Sequence, residues 1–317
     1  MEKIIKGFLK VLLFLLILLG IFIYLSYVFA PKDTGISSGI HDYRANGILA
    51  EKDNTIDVLI AGDSEAYTFV IPTEIYAKYG ITSYVIGTPN QPLYYTNYFI
   101  NRTLKKQDIK LLVLESSVFF SEQQKKKELF FNLKIGLPIF NYHSRWKEIG
   151  INDFFEKISY NTRELEKGSY LENDIVAGLD REIIKTEDVA YISDANLKSI
   201  DKIINLAKNK KIDVLLVSSP TTVHWNYSKH NAVSNLAKKY NLDYIDMNLI
   251  PEIGIDWSHD SMDGGSHLNF YGASKVSNYL GKYLNSLGYL DDRRDNPDYL
   301  TWDEDLKKYN EFVKNNF

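Results

Sequence analysis

Apolar residues in this chain fall into a few short unbroken runs, and between those runs they recur at helical spacing. Ile56-Asp57-Val58-Leu59-Ile60-Ala61 is the first run. Ser83 to Gly87 is the second, and Lys110 to Glu115, with Leu111 to Leu114 mostly leucine, is the third. Val214 to Val217 and Tyr244 to Met247 follow. Runs of this length without polar alternation predict strands buried on both faces, as in a parallel sheet. A helix opens at Pro72-Thr73-Glu74 and stops at Gly80, and a second covers Tyr94 to Lys106. Asp194 caps a third, with Leu197, Ile200, Ile204 and Ala207 on one face. Residues 228–240 and 271–284 complete the set, the last with Val276, Leu280 and Leu284 on one face. This alternation predicts an α/β fold, a three-layer α/β/α body around a central parallel sheet of about five strands.

The same pattern divides the chain. Residues 1–10 are basic, 11–30 apolar, and 31–55 polar with several Gly and Ser, read as a juxtamembrane tether. Residues 56–290 form the α/β body, interrupted at about 117–192 by a mostly helical insertion, and 291–317 read as a C-terminal helical extension. The insertion holds a basic run, Lys125 to Lys127, read as a solvated face, with contact to anionic lipid as the alternative if the insertion folds toward the bilayer.

Val11 to Ala30 carries no charge, and about 20 apolar residues suffice to cross a hydrocarbon core. Lys3, Lys6 and Lys10 precede it against the single acid Glu2, which predicts a cytoplasmic N-terminus and an extracytoplasmic body. Val28-Phe29-Ala30 also fits a small-x-small cleavage site, so a signal peptide is the competing reading. The length of the apolar run favours an uncleaved single-pass anchor, and both readings export the body.

Composition narrows the chemistry further. The chain has no cysteine, which excludes a disulfide framework, a thiol nucleophile and thiolate metal sites. A net charge of −4 over 317 residues gives no nucleic-acid signal. No P-loop, dinucleotide glycine fingerprint or zincin string occurs, so no cofactor is expected. His143, His224, His230 and His259 lack metal-ligand spacing and read as surface or loop residues.

Candidate chemistry lies in two distant strings, Ala61-Gly62-Asp63-Ser64 and Asp263-Gly264-Gly265-Ser266-His267-Leu268-Asn269. The first closes a predicted strand and the second precedes a predicted helix. A serine hydroxyl is a poor nucleophile until a base takes its proton, and an Asp and a His a few residues apart can supply base and orienter. Ser64, Gly87, Glu115, Ser219 and the 256–267 loop all follow predicted strand ends, where ligands bind in open α/β sheets. Each residue has a plainer reading: Ser64 as a helix N-cap, His267 as a loop histidine, Asp263 as an Asx-turn before Gly-Gly. Asp63 reads as a brace of its turn. Arg145 and Trp146 are candidates for an anionic or sugar substrate, against a salt bridge for Arg145 and packing of the insertion for Trp146.

These strings resemble those of the SGNH/GDSL hydrolase superfamily over about residues 56–120 and 190–290. Gly62-Asp63-Ser64 is similar to the first block, in which the serine is the nucleophile. Asp263 and His267-Leu268-Asn269 resemble the last, which implies His267 as base and Asp263 as its orienter. The pair is one residue longer than the usual Asp-x-x-His, which leaves Asp260 as a reserve acid. Ile86-Gly87-Thr88-Pro89-Asn90-Gln91 resembles the second block, implying Gly87 in an oxyanion hole. The third-block asparagine is missing: Leu114-Glu115-Ser116-Ser117 stands there, with Asn90 or Gln91 as substitutes and Glu115 unassigned. An anchor followed by such a domain is similar to bacterial cell-surface O-acyltransferases and esterases. That likeness implies acyl transfer or ester hydrolysis on a cell-surface polysaccharide through an acyl-serine. It also implies a polytopic acyl-exporting membrane protein as partner. A polysaccharide-binding or envelope-assembly protein that kept the fold without turnover is the alternative.

Overall fold

The computed structural model describes residues 1–122 and 125–317, with the Lys125 side chain also outside the described residues. The chain forms two compact units: residues 1–43 with 124–162, and residues 44–123 with 163–317.

In the larger unit five strands form one sheet in the order β2-β1-β3-β4-β5. They are β1 Val58–Gly62, β2 Ser83–Gly87, β3 Leu111–Glu115, β4 Asp213–Ser218 and β5 Asp243–Asp246, all parallel. β1, β2 and β3 are buried along their whole length, as their unbroken apolar runs require. Helices cover the sheet, giving the expected three-layer fold. Val58, Ile60, Val113 and Val217 share a core cluster with Val276, Leu280 and Leu284 of the helix Phe270–Ser286.

Local chemistry sets the helix ends. Pro72 begins Pro72–Tyr79, and Gly80 closes it in the left-handed region at φ 68°. The cap of Asp194–Asn209 is Ser193 rather than Asp194, because the Ser193 hydroxyl accepts the Asn196 N–H at 3.2 Å. Asn269 caps Phe270–Ser286 through the Gly272 N–H.

Chain order places a crevice. β2 lies on one side of β1 and β3 on the other, so the connections after β1 and β3 diverge at the C-terminal edge. Such a switch point opens a crevice there. Gly62 stands beside Gly87 and Glu115 beside Val217 in register, which aligns the ends of four strands.

Two stretches differ from the sequence reading. Residues 44–55 are not a tether: Ala45, Ile48 and Leu49 are buried in the larger unit, and so is Glu51. The buried Lys167 ammonium offsets the Glu51 carboxylate at 2.8 Å, a pairing that local composition cannot reveal. Among the described residues of the insertion, helical structure is confined to a 3-10 turn over 117–120 and to residues 125–154, including Lys125–Gly136 and Ile139–Tyr142. Residues 163–192 form a strap without helix or strand on the larger unit. Its backbone is satisfied from outside: the Val85 N–H donates to Lys167 O, the Tyr170 N–H to Tyr67 O, and the Val176 N–H to Ser261 O.

Among the described residues one helix, Glu2–Phe29 of the smaller unit, is long and apolar enough to cross a membrane. Lys126 and Lys127 are exposed, as a solvated face requires. Trp146 does not pack the insertion; it is 64% exposed, beneath the Lys147 ammonium.

Candidate active site

Ser64 begins the helix Ser64–Thr68 immediately after β1, and Asp63 caps that helix by accepting the Glu65 N–H at 3.1 Å. The N–H of Ser64 lies in the first turn, where helices leave their donors without intrahelical acceptors. Space for this turn depends on two glycines. A Cβ on Gly62 would sit 2.6 Å from the Ala66 side chain, and one on Gly87 would sit 2.7 Å from Asp63 O. Larger residues at either position would push the turn away from the strand ends.

The loop before Phe270–Ser286 reaches the same edge. His267 Nε2 lies 3.0 Å from Ser64 Oγ, within reach for proton transfer. On its other side, His267 Nδ1 lies 2.6 Å from Asp263 Oδ2, while Asp263 Oδ1 accepts the His267 backbone N–H at 2.8 Å. The loop is pinned by Ser261, whose hydroxyl accepts the Gly265 N–H, and by Thr222, whose N–H donates to Gly265 O.

The remaining candidates are distributed otherwise. Asp260 does not meet His267. It is fully buried, where it receives the Lys275 ammonium at 2.5 Å, His259 Nδ1 at 3.1 Å and the Asp256 N–H at 2.8 Å. Gln91 is also buried, with its Nε2 turned to Thr96 Oγ1 at 3.0 Å and Ile86 O at 3.4 Å. Those bonds engage the amide donors inside the fold, which leaves Gln91 no N–H for an oxyanion. Asn90 is exposed at φ 51°, in the turn after β2. Arg145 belongs to the smaller unit, where it donates to Phe29 O at 2.7 Å and to Asp153 at 3.3 Å. Its salt-bridge reading therefore holds, and the substrate reading has no support from its contacts.

Glu115 is fully enclosed below the crevice with two other carboxyls. The Ser117 hydroxyl meets Asp63 Oδ1 at 2.9 Å and Glu115 Oε2 at a shorter distance. The Ser219 hydroxyl meets Glu65 Oε2 at 3.2 Å and Glu115 Oε1 at 3.4 Å. Each hydroxyl has one proton to donate but faces two carboxyl oxygens, so its second partner must be a protonated carboxyl. The electrostatics agree. Burial, reinforced by the Asp63 charge, pushes Glu115 up to about 8. Burial and the Glu115 and Asp63 charges hold Glu65 well above the usual carboxylate range. A chain of carboxyls and serine hydroxyls therefore underlies the Ser64 turn.

Glu65 and His224 were not legible as site residues. Glu65 looks like an ordinary first-turn acid, and only the β4 end brings Ser219 to it. The His224 ring lies 6.4 Å from that of His267, and burial and the His267 charge lower its pKa. The strap and the ends of β4 and β5 enclose a cleft of about 490 Å³, lined by Arg181, Thr221, Thr222, Asn248 and Trp257 among others. Thr222 joins this cleft to the Gly265 loop.

The larger unit is thus a three-layer α/β/α domain carrying a serine, a histidine and an aspartate in hydrogen-bond sequence at the C-terminal edge of its sheet. No protein-family model matches the sequence, and no curated protein matches it. Among solved structures, the chain is similar to a candidate acylhydrolase from Bacteroides fragilis. Identity is 15% over 77% of this chain and 95% of that one, with a TM-score of 0.39. It is also similar to a lipase/acylhydrolase from Enterococcus faecalis, at 11% identity over 73% and 97% of the two chains and a TM-score of 0.38. A GDSL-like lipase from Bacteroides thetaiotaomicron matches at 13% identity over 73% and 88%, with a TM-score of 0.36.

Proposed function

We propose that this protein is a serine-dependent acyl-transfer enzyme with esterase chemistry at its core. Ser64 Oγ attacks the carbonyl carbon of an acyl ester while His267 Nε2 takes its proton. Asp263 holds the imidazole in the required tautomer and steadies the charge it gains. The N–H groups of Ser64 and Gly87 receive the developing oxyanion, with the Asn90 amide available as a third donor. His267 then returns the proton to the departing alcohol, and an acyl-Ser64 ester remains. A second alcohol, or water, repeats the sequence in reverse. The observation that carries this reading is the continuous path Ser64 Oγ–His267 Nε2 at 3.0 Å and His267 Nδ1–Asp263 at 2.6 Å.

The N-terminal segment favours transfer over hydrolysis in this reading. Glu2–Phe29 serves as an uncleaved single-pass anchor with Lys3, Lys6 and Lys10 on the cytoplasmic side. That arrangement keeps the larger unit outside the membrane and near a membrane-borne acyl donor. A cell-surface polysaccharide supplies the acceptor hydroxyl, and a polytopic acyl-exporting protein supplies the donor.

A fluorophosphonate probe tests the core of the proposal. The folded full-length chain should label, peptide mapping should place the label on Ser64, and Ser64→Ala should remove it. Labelling elsewhere, or a folded chain that neither labels nor forms an acyl-enzyme with a small activated ester, would contradict it.

A further inference from the structure

The smaller unit exposes an unusual number of large apolar side chains outside its long helix. Leu129, Phe130 and Leu133 share one face of Lys125–Gly136, at 73%, 61% and 43% exposure. Ile151 and Phe155 are 79% and 78% exposed a short way further on. Large apolar side chains exposed in this number within one small unit are uncommon on a water-facing domain and mark an interaction surface.

Contacts within the unit fix the level of residues 139–156 along the helix Glu2–Phe29, and the helix Lys125–Gly136 packs on Ile139–Tyr142. Phe22 stacks on Phe140 with ring centroids 6.0 Å apart, and Tyr24 meets Phe154 at 6.5 Å. The Ile139 N–H reaches Ser26 Oγ at 3.4 Å, and the Tyr27 hydroxyl donates to Glu156 O at 2.5 Å. Arg145 donates to Phe29 O at 2.7 Å. Every one of these contacts involves the last turns of the helix, whereas residues 1–21 are exposed throughout. Counting about 20 residues for a hydrocarbon core from Lys10 ends the crossing close to Ala30. The insertion therefore grips the helix at the depth where a bilayer passes from acyl chains to headgroups. Tyr24 and Tyr27 stand at this level, in the manner of an interfacial aromatic belt.

We propose that residues 125–158 form a collar embedded in the extracytoplasmic lipid interface. Leu129, Phe130, Ile151 and Phe155 meet the upper acyl chains, and Lys126 and Lys127 lie at the level of the phosphates. The occupant of the apolar surface is lipid, because the collar is continuous with a helix of membrane-spanning length. This inference rests on the reading of Glu2–Phe29 as a retained anchor. The collar holds the root of the anchor through the Phe22, Ser26, Tyr27 and Phe29 contacts.

The absence of cysteine allows clean single-site labelling. The full chain would be reconstituted into vesicles of phosphatidylcholine and phosphatidylglycerol, with an environment-sensitive fluorophore at Phe130→Cys, Ile151→Cys or Phe155→Cys. Ile17→Cys reports the anchor, and Glu311→Cys reports an exposed position in the larger unit. Shallow spin-labelled lipid should quench the three collar probes and shift their emission to shorter wavelength, deep spin-labelled lipid should quench Ile17→Cys, and Glu311→Cys should respond to neither. Water-like, unquenched collar probes alongside a quenched Ile17→Cys would overturn the collar and leave the anchor standing. An unquenched Ile17→Cys would overturn the anchor reading instead. Collar probes unquenched in vesicles but buried in native membranes would assign the surface to a protein partner and overturn the lipid assignment.

Discussion

Asp263 holds His267 at two points, its Oδ2 against the ring Nδ1 at 2.6 Å and its Oδ1 against the backbone N–H at 2.8 Å. The double attachment lets one carboxylate fix both the ring and the backbone of a residue four positions further on. The Gly264-Gly265 step, with both residues at positive φ, bends the loop far enough for one carboxylate to reach both groups.

Replacing His267 by alanine should lower turnover by roughly 10²–10⁴-fold, the usual contribution of a placed base. The ring is partly exposed and packs no core, so the melting temperature should stay close to wild type. Steady-state kinetics on a chromogenic ester, alongside a thermal melt, checks both halves. A large loss of stability would make His267 a structural residue.

Asp263→Asn and Asp260→Asn should separate cleanly. The first should cut turnover with little effect on folding, since it disturbs the tautomer and orientation of His267. The second should destabilise by about 1.5–3 kcal/mol, because the fully buried side chain loses its charge-assisted bond to the partly exposed Lys275 ammonium. Urea titration and ester kinetics on both variants measure the contrast. Equal loss of turnover with no loss of stability in Asp260→Asn would restore Asp260 as the functional acid.

Glu115→Gln should change how stability depends on pH. Burial and the nearby Asp63 charge raise the native pKa of Glu115 to about 8, above the ordinary value of 4.5. Between these values the native state binds the proton and the unfolded state has released it. Wild-type stability therefore falls as pH rises through this window and levels off above about 8. The glutamine variant should show a shallower fall, with Glu65 supplying the residual slope in the same direction. Denaturant midpoints at pH 5 and pH 8 read the difference, and parallel slopes in the two proteins would contradict a neutral Glu115.

Lys167→Met should be severely destabilising. The ammonium is fully buried between Glu51 at 2.8 Å and Asp305 at 2.6 Å, with the Trp302 ring 4.7 Å away. Its removal strands the buried Glu51 carboxylate, while Asp305 keeps the Arg163 guanidinium at 2.8 Å, and losing one member of a buried pair costs about 3–5 kcal/mol. A thermal melt of the variant provides the test.

Much of this architecture follows from local chemistry. A β-strand buried on both faces needs an unbroken apolar run, so β1, β2 and β3 are visible as such in the sequence. Pro72 and Gly80 mark their helix ends for equally local reasons. The Gly-Asp-Ser and Asp-to-His strings supply the functional groups, and the uncharged stretch before Pro31 supplies a helix of membrane-spanning length. Other features depend on long-range partners. The approach of Ser64 to His267 spans 203 positions and is set by the sheet order and the loop pinned at Ser261 and Thr222. The displacement of Asp260 from the site, the turning of Gln91 into the fold and the neutral state of Glu115 depend on neighbours distant in sequence. The strap at 163–192 has no periodicity of its own because its N–H and C=O groups are satisfied by other segments. Sequence determines which groups a chain can bring to a reaction, since side-chain chemistry and local propensity are written residue by residue. Which of them meet, and in what state of protonation, is decided by burial and long-range contact.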